Sequence, residues 1–282
     1  MAPRAIASIP KAQVVRTSVL GVSMIRSVFL DLDGTLYDTA AHYVPDSALR
    51  AVAGLHAHGI RVFVASGRHI SELHGLPLDE LAFDGMVLTN GSVCVDGSGK
   101  AFCEELIPRE TISDLIDEME REFFSCQFFE PTDSHLDFVD ERVARACNLE
   151  HPLPLDQLNL VRGRDFCQAV AFTDEARVRA FAEAHPEVVI TSWAPSCFDI
   201  VPARAGKTRG ILETLHHFGL DDDEWLAVGD GENDCEMLRA ATYGVAMGNA
   251  VDDCKASADY VTDDIAEDGL LKAFVHYGLI EG

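Results

Sequence analysis

The chain has 282 residues, of which 48% are hydrophobic and 24% charged, which is the composition of a globular, soluble protein of one large or two ordinary domains. Its 47 acidic residues outnumber its 22 basic ones and give a formal net charge of -25. This charge repels nucleic acids and anionic membrane surfaces, and no apolar run approaches the roughly 18 residues of a membrane span, so we expect neither partner.

The cysteines and the first residues bear on where the protein works. The eight cysteines are scattered without a C-x-x-C pair, a pattern typical of reduced thiols in a cytoplasmic protein. The first 30 residues hold four basic side chains and no acidic one, and Arg16 interrupts an apolar stretch that is too weak for a signal peptide. We therefore expect residues 1–23 to be a disordered extension in front of Met24.

From Met24 onwards, short apolar runs alternate with amphipathic helical patterns. Helices are predicted at 46–58 and 208–218 and at the C-terminus, and strands at 27–30, 60–65, 85–88, 225–228, 245–247 and 259–262. Strands that alternate with helices favour right-handed crossovers and a mostly parallel, doubly wound sheet with helices on both faces. The sequence therefore predicts an α/β fold.

The middle of the chain has a different pattern. Helices are predicted at 108–123 and 174–184, and strands at 101–107, 166–172, 188–193 and 197–201, with irregular structure at 145–165. These elements indicate an α+β unit of their own. We predict that this unit spans residues 92–201 and is inserted into a core formed by residues 24–91 and 202–282.

Two aspartates follow the first predicted strand. Asp31 and Asp33 are two residues apart, so in an extended chain their side chains face the same way, and Gly34 allows a sharp turn behind them. Two carboxylates this close are unfavourable unless one is protonated or a cation lies between them. Thr35 offers a hydroxyl group to the same place. The alternative is a turn that carries two solvated aspartates.

A second acidic group follows the strand predicted at 225–228. Asp230, Asn233 and Asp234 lie in the segment GDGENDCEML at 229–238. Oxygen ligands of this kind suit Mg²⁺, which needs only a few carboxylates and carbonyl groups and keeps its other waters. The alternative for Asp234 is a cap at the start of a helix.

Two more polar groups come at predicted element ends. Ser66, in the segment SGR at 66–68, can donate a hydrogen bond to a phosphoryl oxygen, and Lys207 can supply a positive charge at a helix start. Taken alone, Lys207 is interpreted as a solvated surface lysine. Ligands bind beyond the carboxyl ends of strands in sheets of this type, and all these groups are predicted at that rim.

The order of these segments resembles the haloacid dehalogenase-like phosphatases, in particular the Cof-like branch with a large α+β cap domain. The resemblance covers roughly residues 24–279. It rests on DLDGTL at 31–36, SGR, Lys207 and GDGENDCEML, and further on TNG at 89–91, FDIVP at 198–202, MGNA at 247–250 and VTDDIAEDG at 261–269. It implies a Rossmann-like core with the insert as its cap.

The resemblance implies a catalytic set of three residues. Asp31 would be the nucleophile and form an aspartyl-phosphate. Asp33 would protonate the leaving oxygen and then take a proton from the attacking water. Lys207 would balance charge on the phosphoryl group during its transfer.

The resemblance also implies a magnesium site and a phosphate-binding rim. Mg²⁺ would be held by the Asp31 side chain, the Asp33 carbonyl group and Asp230, with Asp234 in support. Substrate or phosphate binding is implied for Thr35, Ser66, Gly67, Arg68, Asn233 and Asn249. For Arg68 two interpretations stay open, a contact with substrate and a salt bridge at the cap hinge.

The predicted function is therefore magnesium-dependent hydrolysis of a small phosphorylated metabolite, such as a sugar phosphate. One alternative is a phosphomutase of the same superfamily, but the large cap in mid-chain favours the phosphatase. Another is a non-enzymatic phospho-aspartate switch, which would have no leaving group for Asp33 to protonate. A monomer or weak homodimer is expected.

Overall fold

The computed structural model of the protein describes residues 25–136, 138–146 and 161–282. The extension predicted at 1–23 lies outside these ranges, as does most of the stretch predicted to be irregular at 145–165. The described chain forms one sheet of eight strands and one of five, with helices packed on both. The predicted α/β fold with an α+β insert is thus confirmed. None of the described helices combines the length and apolar character that a membrane crossing requires.

The eight-stranded sheet contains the strands that precede the polar segments. In spatial order its strands are β13 (Tyr260–Val261), β12 (Tyr243–Ala246), β11 (Trp225–Gly229), β1 (Ser27–Leu30), β2 (Arg61–Ala65), β3 (Gly85–Leu88), β4 (Val93–Asp96) and β5 (Ala101–Glu104). Neighbours from β13 to β3 are parallel, whereas β4 and β5 are antiparallel additions at one edge.

Helices cover both faces of this sheet. They are α1 (Asp46–Ala57), α5 (Lys207–Phe218), α6 (Cys235–Ala240), α7 (Asp252–Lys255) and α8 (Gly269–His276). Alternate residues of β1 point to opposite faces, so Val28 and Leu30 share an apolar cluster with α1 and α8. Phe29 points to the other face, where it joins α5, α6 and α7 and stacks on Phe63 with ring centroids 4.8 Å apart.

The five-stranded sheet of the insert is antiparallel. Its strands, in spatial order, are β7 (Ser134–Leu136), β6 (Ser125–Phe129), β8 (Gln168–Phe172), β10 (Cys197–Pro202) and β9 (Val188–Ala194). Within the described part of the insert, the helices that accompany it include α2 (Arg109–Glu122), α3 (Glu141–Ala146) and α4 (Glu175–Ala184). Helices α2 and α4 cover one face of the sheet. Residues of the other face, including Phe129 and Phe172, share an apolar cluster with Leu88 and Val93 of the large sheet.

The strand order differs from the predicted start of the insert at residue 92. Strands β4 and β5 belong to the large sheet, and the chain leaves that sheet only after Glu104. The run predicted as an insert strand at 101–107 is therefore an edge strand of the core sheet. The reason is non-local pairing, because Val93, Cys94 and Val95 are apolar and become buried at the free edge of β3.

Candidate active site

The site forms at one edge of the large sheet, where three neighbouring parallel strands end. Strand β1 lies between β11 and β2, with Leu30 opposite Val228 on one side and Val64 on the other. Asp31 follows β1 and Ser66 follows β2, while Asp230 follows β11. Because parallel strands end on the same side, three segments that are far apart in sequence meet here.

Three carboxylates come together at this edge. One oxygen from each of Asp31, Asp230 and Asp234 lies within 4.8 Å of the other two. Burial and the neighbouring carboxylate of Asp234 raise the pKa of Asp31 well above its ordinary value. The same causes raise the pKa of Asp230 to about 6. Asp31 and Asp230 therefore ionise less readily here than in water, which is a condition that a nearby cation relieves.

Two glycines permit this close approach. A Cβ atom on Gly34 would lie 2.2 Å from Oδ2 of Asp230, and Gly34 also has a φ of +79°, in the left-handed region. A Cβ atom on Gly229 would lie 2.5 Å from Cγ of Asp234. Any larger residue at either position would displace a carboxylate of the cluster.

Lys207 lies buried among the carboxylates, at the first residue of α5. Its Nζ atom donates hydrogen bonds of 2.6 Å to Oδ1 of Asp31 and of 2.6 Å to Oδ1 of Asp234. Burial disfavours the charged amine, but the carboxylates of Asp234 and Asp31 outweigh this effect and raise the pKa of Lys207. The ammonium group is therefore positively charged and fixed in position.

Asp234 binds both Lys207 and the backbone of the loop that follows β11. Its Oδ2 atom accepts hydrogen bonds of 2.9 Å from the backbone N–H groups of Asp230 and Gly231. Its Oδ1 atom accepts from Lys207. Both oxygens thus already have close partners, whereas the carboxylate of Asp230 accepts only longer hydrogen bonds, of 3.3 Å from Thr35 and 3.4 Å from Asn249, and so has more capacity for a metal ion.

The donor set fits a hard divalent cation. The three carboxylates carry three negative charges when ionised, and Lys207 neutralises one of them. Carboxylate oxygens are the ligands that Mg²⁺ prefers, and Asp31 and Asp230 follow adjacent strands. The residues present therefore supply both the charge and the atom type that such an ion requires.

Asp33 pairs with Arg68, whereas Asp31 pairs with Lys207. Nε and Nη2 of Arg68 donate hydrogen bonds of 2.7 Å each to the two carboxylate oxygens of Asp33. The two side chains are about one-third exposed, at 30% for Arg68 and 35% for Asp33. These hydrogen bonds to Asp33 raise the pKa of Arg68, against the opposing effect of burial. The guanidinium group is therefore a fully charged partner.

Ser66 lies at the same edge of the sheet, at the end of β2, and Thr35 contacts the carboxylate cluster. The Oγ atom of Ser66 accepts a hydrogen bond of 3.1 Å from the backbone N–H of Arg68, which leaves its own hydrogen free to be donated. The Oγ1 atom of Thr35 donates to Oδ1 of Asp230 at 3.3 Å. Both side chains are buried, so their hydroxyl groups have fixed surroundings.

The remaining predicted residues line the rim. Nδ2 of Asn249 donates to the carbonyl oxygen of Gly34 at 2.8 Å and to Oδ2 of Asp230 at 3.4 Å. Nδ2 of Asn233 donates to Oδ1 of Asn90 at 3.1 Å. A Cβ atom on Gly67 would lie 3.1 Å from the same oxygen of Asn90, so Gly67 is also at this edge.

Two residues near the site, Asn90 and His69, were not predicted as site residues. Asn90 lies in the segment TNG that follows β3, and its position at a strand end was the available signal. His69 follows SGR and carried no signal. Its Nε2 atom lies 2.7 Å from the carbonyl oxygen of Glu130, which follows β6 of the insert. His69 therefore connects the segment after β2, which carries Ser66 and Arg68, to the insert.

The chain belongs to the haloacid dehalogenase-like hydrolases, because the family model with that description matches residues 28–274. Within this family it is a Cof-like phosphatase, a phosphoric monoester hydrolase, as the following relatives show. Phosphatases of this superfamily generally use a metal ion, in agreement with the carboxylate cluster.

Two solved structures resemble it along almost their whole length. BT1666 from Bacteroides thetaiotaomicron, a phosphatase of the superfamily, is 30% identical with a TM-score of 0.84, over 94% of this chain and 100% of its own. The subclass IIB sugar phosphatase BT4131 is 32% identical with a TM-score of 0.78, over 90% and 100%. A sequence relative is YcsE of Bacillus subtilis (strain 168), a 5-amino-6-(5-phospho-D-ribitylamino)uracil phosphatase. It is 25% identical over 258 residues, which are 90% of this chain and 96% of YcsE.

Proposed function

We propose that the protein is a magnesium-dependent phosphatase that hydrolyses a small phosphorylated metabolite, such as a sugar phosphate, through an aspartyl-phosphate on Asp31. The observation that carries the proposal is the buried group of Asp31, Asp230, Asp234 and Lys207 at the strand ends. The substrate class is supported by the named substrates of BT4131 and YcsE, which are a sugar phosphate and a phosphorylated ribityl compound.

Asp31 is the proposed nucleophile. Its Oδ1 atom is held by Lys207, so Oδ2 is the atom available to attack phosphorus. In the first step an Asp31 oxygen bonds to phosphorus while the bond to the leaving ester oxygen breaks. In the second step water attacks the phosphorus, the bond to Asp31 breaks, and inorganic phosphate leaves.

Asp33 is the proposed acid and base of these two steps. It donates a proton to the leaving oxygen and then takes one from the attacking water. In the present arrangement both of its oxygens accept hydrogen bonds from Arg68, so neither is placed to donate to a leaving group. We therefore expect substrate binding to separate Arg68 from Asp33, with the substrate or the cap providing new partners.

The proposed ligands of Mg²⁺ are the side chains of Asp31 and Asp230 and the carbonyl group of Asp33, with Asp234 supporting the loop. When bound, the ion supplies positive charge against the phosphoryl oxygens and against the carboxylates. Lys207 adds a second, fixed positive charge at Asp31.

The rim residues complete the proposed phosphate site. Ser66 has a free hydroxyl hydrogen for a phosphoryl oxygen, and the Gly67 backbone follows it directly. Asn233 orients the phosphoryl group, whereas Thr35 and Asn249 keep Asp230 in place through the contacts described above. The insert then acts as a cap that excludes water during the first step and supplies the specificity contacts.

The test is phosphate release from an aryl phosphate and from a panel of sugar phosphates. We expect turnover that requires Mg²⁺, stops with EDTA and is lost in Asp31→Asn. The matched control is Glu232→Gln, which removes an exposed carboxylate from the loop that also carries Asp230. Full activity of Asp31→Asn would disprove the proposed nucleophile.

Product analysis separates the alternatives. A covalent intermediate predicts that, with methanol added, the ratio of methyl phosphate to inorganic phosphate is the same for every aryl leaving group. A phosphomutase would return an isomeric sugar phosphate instead of inorganic phosphate. A phospho-aspartate switch would release no more than one equivalent of leaving group per chain.

A further inference from the structure

Two cysteines face each other across the edge of the large sheet. Cys94 in β4 and Cys103 in β5 are directly opposite in the antiparallel register. Cα atoms of directly opposed residues in such a pair are about 4.5–5.5 Å apart, which lies within the range of about 4.4–6.8 Å found for disulfides. The backbone therefore already has the separation that a bond between the two sulfurs requires.

The two thiols differ in accessibility. Cys94 is fully buried against Phe63, Val87 and the residues of α5, and its Sγ atom lies 3.5 Å from the carbonyl oxygen of Gly210. Cys103 is half-buried, and it is the one cysteine among those in the described ranges that is not buried. A reagent from solvent therefore reaches Cys103 first, and Cys94 is reached only through Cys103.

The surroundings of Cys103 favour a reactive thiol. A hydrogen bond from Cys94 lowers the pKa of Cys103 to about 7, against the opposing effects of burial and of Glu213. The charge of Arg209 also favours the thiolate, while Glu105, which pairs with Arg209 at 3.2 Å, opposes it. A thiolate at neutral pH, partly open to solvent, is the form that reacts with disulfides.

We propose that Cys94 and Cys103 form a reversible disulfide, with Cys103 as the attacking thiol and Cys94 as the resolving one. The oxidant is a small disulfide such as glutathione disulfide. The Cys103 thiolate bonds to one glutathione sulfur and releases the other glutathione as a thiolate. Cys94 then loses its proton, attacks the Cys103 sulfur and releases the second glutathione. In total two protein thiols are oxidised and one glutathione disulfide is reduced to two thiols.

The test uses the whole reduced protein, incubated with glutathione disulfide at neutral pH and digested without reductant. Mass spectrometry should find a peptide pair joined through Cys94 and Cys103, which separates again after dithiothreitol. Cys94→Ala should stop at the mixed disulfide and keep glutathione on Cys103. Cys103→Ser should show neither product at these positions. The control Cys126→Ala, in the insert, should keep the cross-link.

A second measurement does not depend on the folding of the Cys94 variant. Brief alkylation of the unmodified protein with iodoacetamide should label Cys103 at least ~10-fold faster than Cys94, because the thiolate is the reacting form. No cross-link between the two positions, a cross-link of Cys103 to another cysteine, or equal labelling of both thiols would each overturn the proposal. None of these readouts uses phosphatase activity, so the result is independent of the proposed function.

Discussion

Replacing Gly34 by alanine tests whether the position of Asp230 limits activity. A Cβ atom at residue 34 would lie 2.2 Å from Oδ2 and 2.8 Å from Cγ of Asp230, although real Cβ atoms essentially never approach a neighbour within 3.0 Å. The carboxylate must therefore retreat by at least 0.8 Å, the difference between 3.0 and 2.2 Å. This movement disturbs the hydrogen bonds that Asp230 accepts from Thr35 and Asn249.

The expected loss of activity follows from this displacement. A misplacement of about 1 Å in a catalytic site can reduce the rate about 100-fold, so we expect a loss of this order in kcat/KM for Gly34→Ala. The variant should also need more Mg²⁺ for half-maximal activity, because Asp230 is a proposed ligand. The assay is initial-rate hydrolysis of an aryl phosphate over a series of Mg²⁺ concentrations.

Gly59→Ala is the matched control. Gly59 also has a left-handed backbone, with a φ of +74° against +79° for Gly34, but a Cβ atom on Gly59 would have no neighbour within 4 Å. Both variants should lose about 1–2 kcal/mol of unfolding free energy, which is the cost of a side chain in this conformation. Only Gly34→Ala should lose activity. If the two variants had equal kcat/KM and equal Mg²⁺ requirement, the reasoning from the Asp230 contact would be refuted.

Three further predictions concern the charged groups of the site. Lys207→Met leaves buried carboxylates without their cation, so chemical denaturation should show a free energy of unfolding that is about 3–5 kcal/mol lower. The control Lys100→Met, which replaces an exposed lysine, should change it little. Equal stability of the two variants would contradict the buried charge pairing. Burial and Asp234 raise the pKa of Asp230 to about 6. Without metal, the native protein therefore binds more protons than the unfolded chain between about pH 4 and 6. Its free energy of unfolding falls as the pH rises through this window. Mg²⁺ should therefore raise the Tm more at about pH 7.5 than at about pH 5, because it competes with protons for the carboxylates, and a pH-independent increase would speak against this site. Asp33→Asn should lower kcat at least ~100-fold for a sugar phosphate and less for an aryl phosphate, whose leaving group hardly needs a proton; equal losses would exclude the role of general acid.

Much of the core could be predicted from local patterns. The strands predicted at 27–30 and 85–88 have the same bounds in the structure, and the helix predicted at 46–58 ends within one residue of its predicted end. Such elements are short, strongly apolar and closed by polar segments, so periodicity and turn residues determine them. The insert boundary at residue 92 was wrong, because a strand pattern does not reveal its partner. Strands β4 and β5 pair with β3, and only the free edge of that strand decides where they belong.

The site shows the same division between local and non-local information. The sequence was enough to predict that Asp31, Asp230 and Ser66 share one rim, because parallel strands have their carboxyl ends at the same edge of the sheet. It did not show that Lys207 bonds to Asp31 and Asp234 at once, since three separate elements fix those contacts.

The sequence by itself determined the alternation of strands and helices, the polar segments at the strand ends and the family resemblance. These depend on local patterns and on the order of segments along the chain. The tertiary structure alone decided which charges are paired. Arg68 is bound to Asp33, and the thiols of Cys94 and Cys103 are opposed, because strand register and loop packing bring them together. These contacts depend on distances in space, which the order of residues along a chain does not specify.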